Sequence, residues 1–287
     1  MGERIILHSD LNNFYASVEL LERPRLRAFP VAVCGSAELR HGIVLAKNEL
    51  AKRAGVRTGM AIWQARERCA NLRVLEPHMP RYIEYSRRAR DIYRDYTEFI
   101  EPFGIDECWL DITRAAPDFE SGARLAEEIR ARIKTELGVT VSIGVSFNKV
   151  LAKLGSDYKK PDAVTVFTRE DFRALVWPLA VEELLYVGRA TSRKLRSMGI
   201  NTIGQLAAAD PAVLRLKLGK MGELISSYAR DADSSGVMRD NESDPVKSVG
   251  NSTTTPRDIA CDADAKKVIY ALADSVGTRR REGGFRA

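Results

Sequence analysis

Asp10, Asp106 and Glu107 are the residues of this 287-residue chain best placed to do chemistry. The stretch Arg4 to Ser9 reads as a short apolar strand that ends at Asp10. Asp106 and Glu107 sit where two further strands, IEPFG and ECWLDIT, meet tightly. If the first strand lies beside that hairpin, the three carboxylates converge at one edge of a sheet. Clustered carboxylates repel one another unless cations neutralise them, and an oxygen-only donor set suits Mg²⁺. Two such ions ~3.5–4 Å apart form a site for in-line displacement at phosphorus. The same residues have a plainer reading, with Asp10 capping a helix and Asp106-Glu107 a solvated turn. Spacing alone leaves both open.

The elements that must position these groups follow from punctuation and periodicity. Asn12 or Asn13 can cap the helix FYASVELL, which stops before Pro24. VAVCG and GIVLA read as strands hinged at Gly35 and His41-Gly42, followed by helices over Asn48 to Arg53 and Ile62 to Cys69. After Pro77 and Pro80 an amphipathic helix is predicted from about Tyr82 to Phe99. A helix from Phe119 to Leu137 leads to TVSIGVS, apolar at alternate positions, and then to a helix near Asn148 to Tyr158 and the loop KKPDA. Hairpin-joined strands mixed with helices predict an α+β fold, not a doubly wound parallel sheet. Beyond Thr168 short helical stretches run to about Arg230. Asp231 to Lys247, rich in Asp and Ser and carrying Pro245, reads as a linker. A strand-like KSVGNSTTT, a helix over Asp264 to Arg281 and a further strand starting at GGFRA complete the pattern. One strand and one helix cannot bury a core, so the last domain reads as truncated.

Bulk properties narrow the classes. The length predicts two or more domains, and a net charge of +6 is compatible with a polyanionic partner without demanding one. No apolar run approaches the ~20 residues of a membrane span, and the N-terminus turns polar too soon for a secretory signal. Cys34, Cys69, Cys108 and Cys261 are scattered without a CxxC pair, which argues for reduced thiols in a cytosolic protein and against zinc. His8, His41 and His78 stand at unrelated spacings, so a histidine-centred site is not expected.

Three stretches carry a resemblance. SDLNNFYASVE resembles the N-terminal motif of the Y-family translesion DNA polymerases of the DinB type, GIDECWLDIT their acidic pair between palm strands, and GVSFNKVLAKLGSDYKKPDA their basic helix and Lys-Pro loop. They occur in order and the likeness covers nearly the whole chain. The resemblance implies a ferredoxin-like palm (residues 1–11 and 80–167), small fingers (12–79), an all-helical thumb (168–236), a linker (237–247) and a partial little finger (248–287). It also implies dNTP addition to a primer 3′-OH during DNA damage tolerance and repair. Asp10, Asp106, Glu107 and the carbonyl of Leu11 would hold two Mg²⁺ ions, with Mn²⁺ as a substitute. Asn13, Phe14, Tyr15, Ala46, Lys52 and Lys160 would contact the dNTP, with Tyr15 as the steric gate against a 2′-OH. Lys149 and Lys153, four apart on one helix face, are further phosphate candidates, or a solvated face. Primer–template DNA is the implied partner, with a sliding clamp for a longer chain, a monomeric state, no membrane, and a cytoplasmic, nucleoid-associated location.

Two positions depart from the family's pattern. Where relatives carry a Tyr and an Arg on the triphosphate, NELAK places Glu49 and Lys52, and Lys52 lacks the bidentate fork of Arg. Gly104 stands where a Ser often precedes the acidic pair, and it is expected only to loosen the hairpin. In the helical stretch, LLYVGRATSRKLRSMGINTIGQLA resembles a helix-hairpin-helix. Gly188 would allow its turn, and Arg189, Thr191, Arg193 and Lys194 would meet the DNA backbone at a helix N-terminus; an ordinary helical hairpin is the alternative. A nucleotide cyclase also uses paired carboxylates on a palm-like sheet, but it needs no duplex-binding hairpin. A catalytically weak DNA-binding repair accessory would be expected to have lost a carboxylate, and all three are present.

Overall fold

The computed structural model describes residues 3–36, 42–240, 242 and 246–285. His41 and Pro245, invoked above, lie outside the described residues, as do Arg286 and Ala287. In chain order the elements that matter here are β1 (Ile6–Leu11), α1 (Phe14–Glu22), β2 (Val31–Cys34), β3 (Val44–Lys47), α2 (Glu49–Arg53), α3 (Ile62–Arg68), β4 (Arg73–Leu75), α4 (Met79–Arg94), β5 (Ile100–Pro102), β6 (Glu107–Asp111), α5 (Phe119–Arg132), β7 (Val141–Ser146), α6 (Lys149–Tyr158) and β8 (Val164–Val166). The chain divides into two units, residues 1–12 with 80–242, and residues 13–79 with 243–287.

The first unit is built on a five-stranded sheet ordered β5-β6-β1-β7-β8. β1 is central and pairs antiparallel with both β6 and β7, whereas β7 and β8 run parallel with α6 between them. The alternation of side chains across a strand assigns the two faces. Ile6 packs against Ala152 of α6 and His8 bonds Ser156 of α6, so Asp10 shares the α6 face. Ile5 touches α5 at Gly122, and Ser9 bonds the Tyr93 hydroxyl of α4, so these helices cover the other face. The fit of α6 depends on Gly144. A Cβ there would come within 1.9 Å of the Ala152 carbonyl oxygen and 2.5 Å of the Ser156 nitrogen. β1 starts at Ile6, two residues after Arg4, and runs one residue past Asp10, because Leu11 remains in the ladder with Val141. α4 ends at Arg94 and not near Phe99. There the Thr97 hydroxyl donates to the Asp111 carbonyl at 2.6 Å and turns the chain into β5.

Residues 169–229 form short helices, among them Arg189–Ser197, Ile203–Ala208, Pro211–Leu218 and Lys220–Ala229. Their apolar side chains, such as Leu195, Ile203 and Ile225, join Leu151, Leu154 and Phe167 in one buried cluster. The stretch expected to be a free linker from Asp231 is fastened down as far as Asp240. Asn148 donates to Asp231 at 2.8 Å, the Met238 N–H to Glu101 at 3.1 Å, and the Asp240 N–H to the Glu98 carbonyl at 3.1 Å. Val237 is buried against Ile6 and Trp109.

The second unit holds a three-stranded sheet, β3-β2-β4, with α2 and α3 packed around Ala32, Val44, Ala51 and Ala65. Asn48 caps α2 and also accepts from the Val31 N–H at 3.0 Å. Further on, the helix Asp262–Glu282 forms as expected but buries none of its residues. The strand expected over Lys247 to Thr255 is absent, and Gly283 to Phe285 are not extended into one. A strand requires a ladder partner for its backbone groups, and no strand lies beside these residues among those described. No described helix is long and apolar enough to cross a membrane. The four cysteines are free, with Cys261 exposed and the others buried.

Candidate active site

The register of the central sheet brings the carboxylates together. Asp10 lies directly opposite Glu107, and the Leu11 N–H donates to the Asp106 carbonyl at 3.0 Å. Opposite residues of an antiparallel pair project from the same face, so Asp10 and Glu107 emerge side by side toward α6. Asp10 is 7% exposed. The turn before them needs a glycine. Gly104 has φ +111°, open to glycine and strained for other residues, and a Cβ there would lie 3.7 Å from an Asp106 oxygen. Its role is therefore conformational, not the loosening expected from the sequence.

Two of the three carboxylates have taken a lysine. Lys160 reaches Asp10 at 2.6 Å and Asp157 at 2.7 Å, and Lys153 reaches Glu107 Oε2 at 2.5 Å. Lys149, expected beside phosphates or on a solvated face, instead pairs with Glu101 and lies over the Trp109 ring. Asp106 has no ion-pair partner among the described residues. Burial raises the Asp10 carboxyl well above the usual carboxylate range despite Lys160, and burial together with the Glu107 charge raises Asp106. Glu107 behaves oppositely: burial opposes its charge, but the His8 imidazole 3.2 Å away and the hydrogen bond from Lys153 outweigh that and hold it low. The electrostatic pattern is a carboxylate cluster short of positive charge. Among the described residues no group of three or more His, Cys, Asp or Glu side chains is placed to hold a metal ion, and two of the three site carboxylates are turned to lysines. The donors are hard oxygens, the kind that Mg²⁺ prefers, and the raised carboxyls gain from any added cation.

Two residues of this site escaped the sequence reading. His8 is fully buried, with Nδ1 2.8 Å from the Ser156 hydroxyl and Nε2 3.2 Å from Glu107. Asn12, one of the two candidate helix caps, is buried and stands one residue before the N-cap Asn13. Its Nδ2 donates to Ser142 at 2.9 Å, and its Oδ1 accepts from Thr140 at 3.1 Å and from the Asp162 N–H at 2.8 Å. It thereby ties the end of β1 to the loop that carries Lys160. His8 stands two residues before Asp10 in the same strand and so shares its face, which is the signal available in the sequence.

Within the second unit, Asn13 is the first residue before α1. It adopts left-handed backbone, φ +50°, and makes no cap bond with its side chain. Its Nδ2 instead donates to Glu49 at 3.1 Å, and Glu49 lies 3.7 Å from Lys52. The acid at position 49 thus faces Lys52 and Asn13. Phe14 is buried and Tyr15 half-buried, with ring centroids 5.8 Å apart. Ala46 lies in β3 opposite Val33.

Gly188 precedes the helix Arg189–Ser197 with φ −75° and ψ 177°, backbone that any residue adopts. The left-handed residue is Tyr186, φ +69°, so the turn does not rely on the glycine as expected. Thr191 and Ser192 lie in the helix's first turn, Ser192 buried. Arg189, Arg193 and Lys194 are exposed, while Arg196 pairs with Glu182.

Comparison with known proteins gives concordant likenesses. The model of the impB/mucB/samB family matches residues 9–157. A "DNA polymerase IV" of Acetivibrio thermocellus is 53% identical over 97% of this chain and 70% of its own length. Among solved structures, a Y-family DNA polymerase chimera superposes with TM-score 0.77 at 27% identity, over 83% of this chain and 70% of that one. The insertion ternary complex of Dbh DNA polymerase gives 0.76 at 28% identity, over 81% and 69%.

Proposed function

The chain belongs to the impB/mucB/samB family and is a Y-family, DNA polymerase IV-like enzyme of translesion synthesis, and from that premise we propose that Asp10, Asp106 and Glu107 are where it adds a dNTP to a primer 3′-OH. Primer–template DNA and dNTPs are its substrates, and its reaction depends on a divalent metal. Two Mg²⁺ ions, replaceable by Mn²⁺, are the finer reading. When bound they neutralise the charge that builds between primer oxygen, α-phosphate and leaving pyrophosphate.

The chain's own residues do the rest by holding and orienting. Asp10, Asp106 and the Leu11 carbonyl offer oxygens at the end of β1, and Glu107, kept ionised by His8 and Lys153, offers one beside them. In this reading Lys160 lends its ammonium to the triphosphate, and Asn13, Phe14, Ala46 and Lys52 line the nucleotide, with Tyr15 excluding a 2′-OH. Gly188, Arg189, Thr191, Arg193 and Lys194 grip the DNA backbone without reading sequence. A monomer in the cytoplasm at the nucleoid, with a sliding clamp engaged by a longer chain, completes the reading.

The observation that carries it is the direct pairing of Asp10 with Glu107 on the α6 face, with Asp106 one residue ahead. Asp106→Ala and Glu107→Ala should each abolish primer extension with Mg²⁺ and dNTPs, while duplex affinity by fluorescence anisotropy stays within a few-fold. Extension by either variant at near wild-type rate would overturn the assignment.

A further inference from the structure

Among the described residues four besides glycine have left-handed backbone. Three are Asn13, Asp162 and Asp231, whose short polar side chains tolerate it; the fourth is Tyr186. The Val187 N–H donates to the Leu184 carbonyl at 3.0 Å and closes a four-residue turn in which Tyr186 is third. Positive φ at that position suits glycine or asparagine. Leu184 and Val187 are both buried in one cluster with Leu195 and Ile203, so the turn is pinned on either side of the tyrosine. The ring itself faces outward, 46% exposed. Glycine would relieve this backbone, yet the chain carries an aromatic side chain here. Strain of that kind persists where the surroundings over-determine it, and it collects at binding sites.

The exposed ring is not loose. It stacks on Tyr228 of the helix Lys220–Ala229, with centroids 6.3 Å apart and planes inclined at 29°. Tyr228 is itself half-buried, so the stack fixes the direction in which the Tyr186 ring points. The phenol is therefore held in place before any ligand arrives, which lowers the cost of binding. Three residues further on begins the helix Arg189–Ser197, with Arg189, Arg193 and Lys194 exposed. From Glu182 to Arg196 four basic side chains stand against two acids, and Glu182 is already paired with Arg196. A neutral hydrogen-bond donor fixed beside such a surface suits a polyanion.

We propose that Tyr186 is a further DNA-binding residue, its hydroxyl donating to a backbone phosphate of the duplex beside the contacts of Arg189, Arg193 and Lys194. This rests on reading that helix as a grip on DNA. The phosphate is the fitting acceptor because a template-directed enzyme must hold every sequence, and phosphate contacts position a duplex without reading it. The tyrosine adds what the cations do not. A guanidinium or ammonium displaces counterions when it meets a phosphate, whereas a neutral phenol displaces none, so its share of the affinity is independent of salt.

The test is fluorescence anisotropy of a labelled primer–template titrated with the full chain at several salt concentrations, with urea unfolding alongside. Tyr186→Phe keeps the ring and its stack and removes only the hydroxyl. It should weaken duplex binding about 5-fold and leave the slope of log K against log salt unchanged. Tyr186→Gly should bind at least as weakly, with a urea midpoint no lower than wild type because the backbone is relieved. Wild-type affinity in Tyr186→Phe overturns the contact, as does a Tyr186→Gly chain that binds normally but unfolds earlier, the mark of a packing residue. A loss seen on a single-stranded oligonucleotide and not on the duplex would mean base stacking, and also overturns it. Replacing Arg189, Arg193 and Lys194 together by Ala separates the two readings. An unchanged affinity and slope there removes the whole helix from the DNA, whereas a flattened slope with wild-type binding by Tyr186→Phe removes the tyrosine alone.

Discussion

Lys160 on Asp10 and Lys153 on Glu107 show how single residues manage a site crowded with acid. Each lysine offsets one buried carboxylate, while Asp106 is left to desolvation and the charge of its neighbour. The proposed gate can be tested at the same scale. Tyr15→Ala should raise the ratio of ribonucleotide to deoxyribonucleotide kcat/KM on the order of 10²-fold, measured by single-nucleotide insertion; an unchanged ratio would make Tyr15 a packing residue. Asp162 supplies a pH test. Burial works against its charge, but Lys134 and Arg130, each at 2.7 Å, hold its carboxyl below the usual value. A depressed folded pKa gives stability that is present above the unfolded pKa, about 3.9, and is lost as pH falls through the folded value. Asp162→Asn, which tolerates the left-handed backbone at φ +55°, should cost about 1 kcal/mol at neutral pH. In urea unfolding the difference from wild type should shrink as pH drops below about 4. A difference constant from pH 7 to pH 3 would contradict the ion-pair account.

At the scale of elements, β1 and α6 together make the site. β1 delivers Asp10 and His8 on one face, and α6 lays Lys153 and Ser156 over them. That approach depends on Gly144, whose added Cβ would strike the α6 backbone. Gly144→Ala should therefore destabilise the chain by about 3 kcal/mol, seen as a lower urea midpoint, with loss of extension as α6 is displaced. Gly188→Ala is the contrast for stability. It has ordinary φ, and a Cβ there meets nothing within 4 Å, so its urea midpoint should match wild type to within about 0.5 kcal/mol. A reversed order of the two would show that the α6 approach is not what Gly144 secures.

For the whole molecule, the proposed grip on DNA is a sum of phosphate neutralisations, and salt dependence measures how many there are. Replacing Arg189, Arg193 and Lys194 by Ala should flatten the slope of log K against log salt by ~0.9 for each duplex phosphate no longer neutralised. Anisotropy titrations across a range of salt concentrations measure it, and an unchanged slope in the triple variant would remove this helix from the DNA interface. Residues 231–240 bear on the molecule at the same scale. Fastened at Asn148, Glu101 and Glu98, they belong to the first unit, and the stretch is no free tether.

Local chemistry made much of this protein legible in its sequence. Alternating apolar residues marked the strands, Gly and Pro marked their ends, and Asp10 and the Asp106-Glu107 pair stood out as carboxylates at strand ends or turns. The motif likeness supplied the family before any coordinates, because those residues and spacings are local facts. The tertiary structure decided what depends on partners distant in sequence. The Asp10–Glu107 register, the lysine counter-ions and the His8–Ser156 hydrogen bond join residues up to 150 positions apart. Such pairings are set by which faces bury together and not by propensity. For the same reason His8 read as an isolated histidine, Asn12 as one of two candidate caps, and Lys149 as a phosphate contact or part of a solvated face. Lys247 to Thr255 read as a strand because its residues suit one, but a ladder needs a neighbour, and only the fold decides whether one is there.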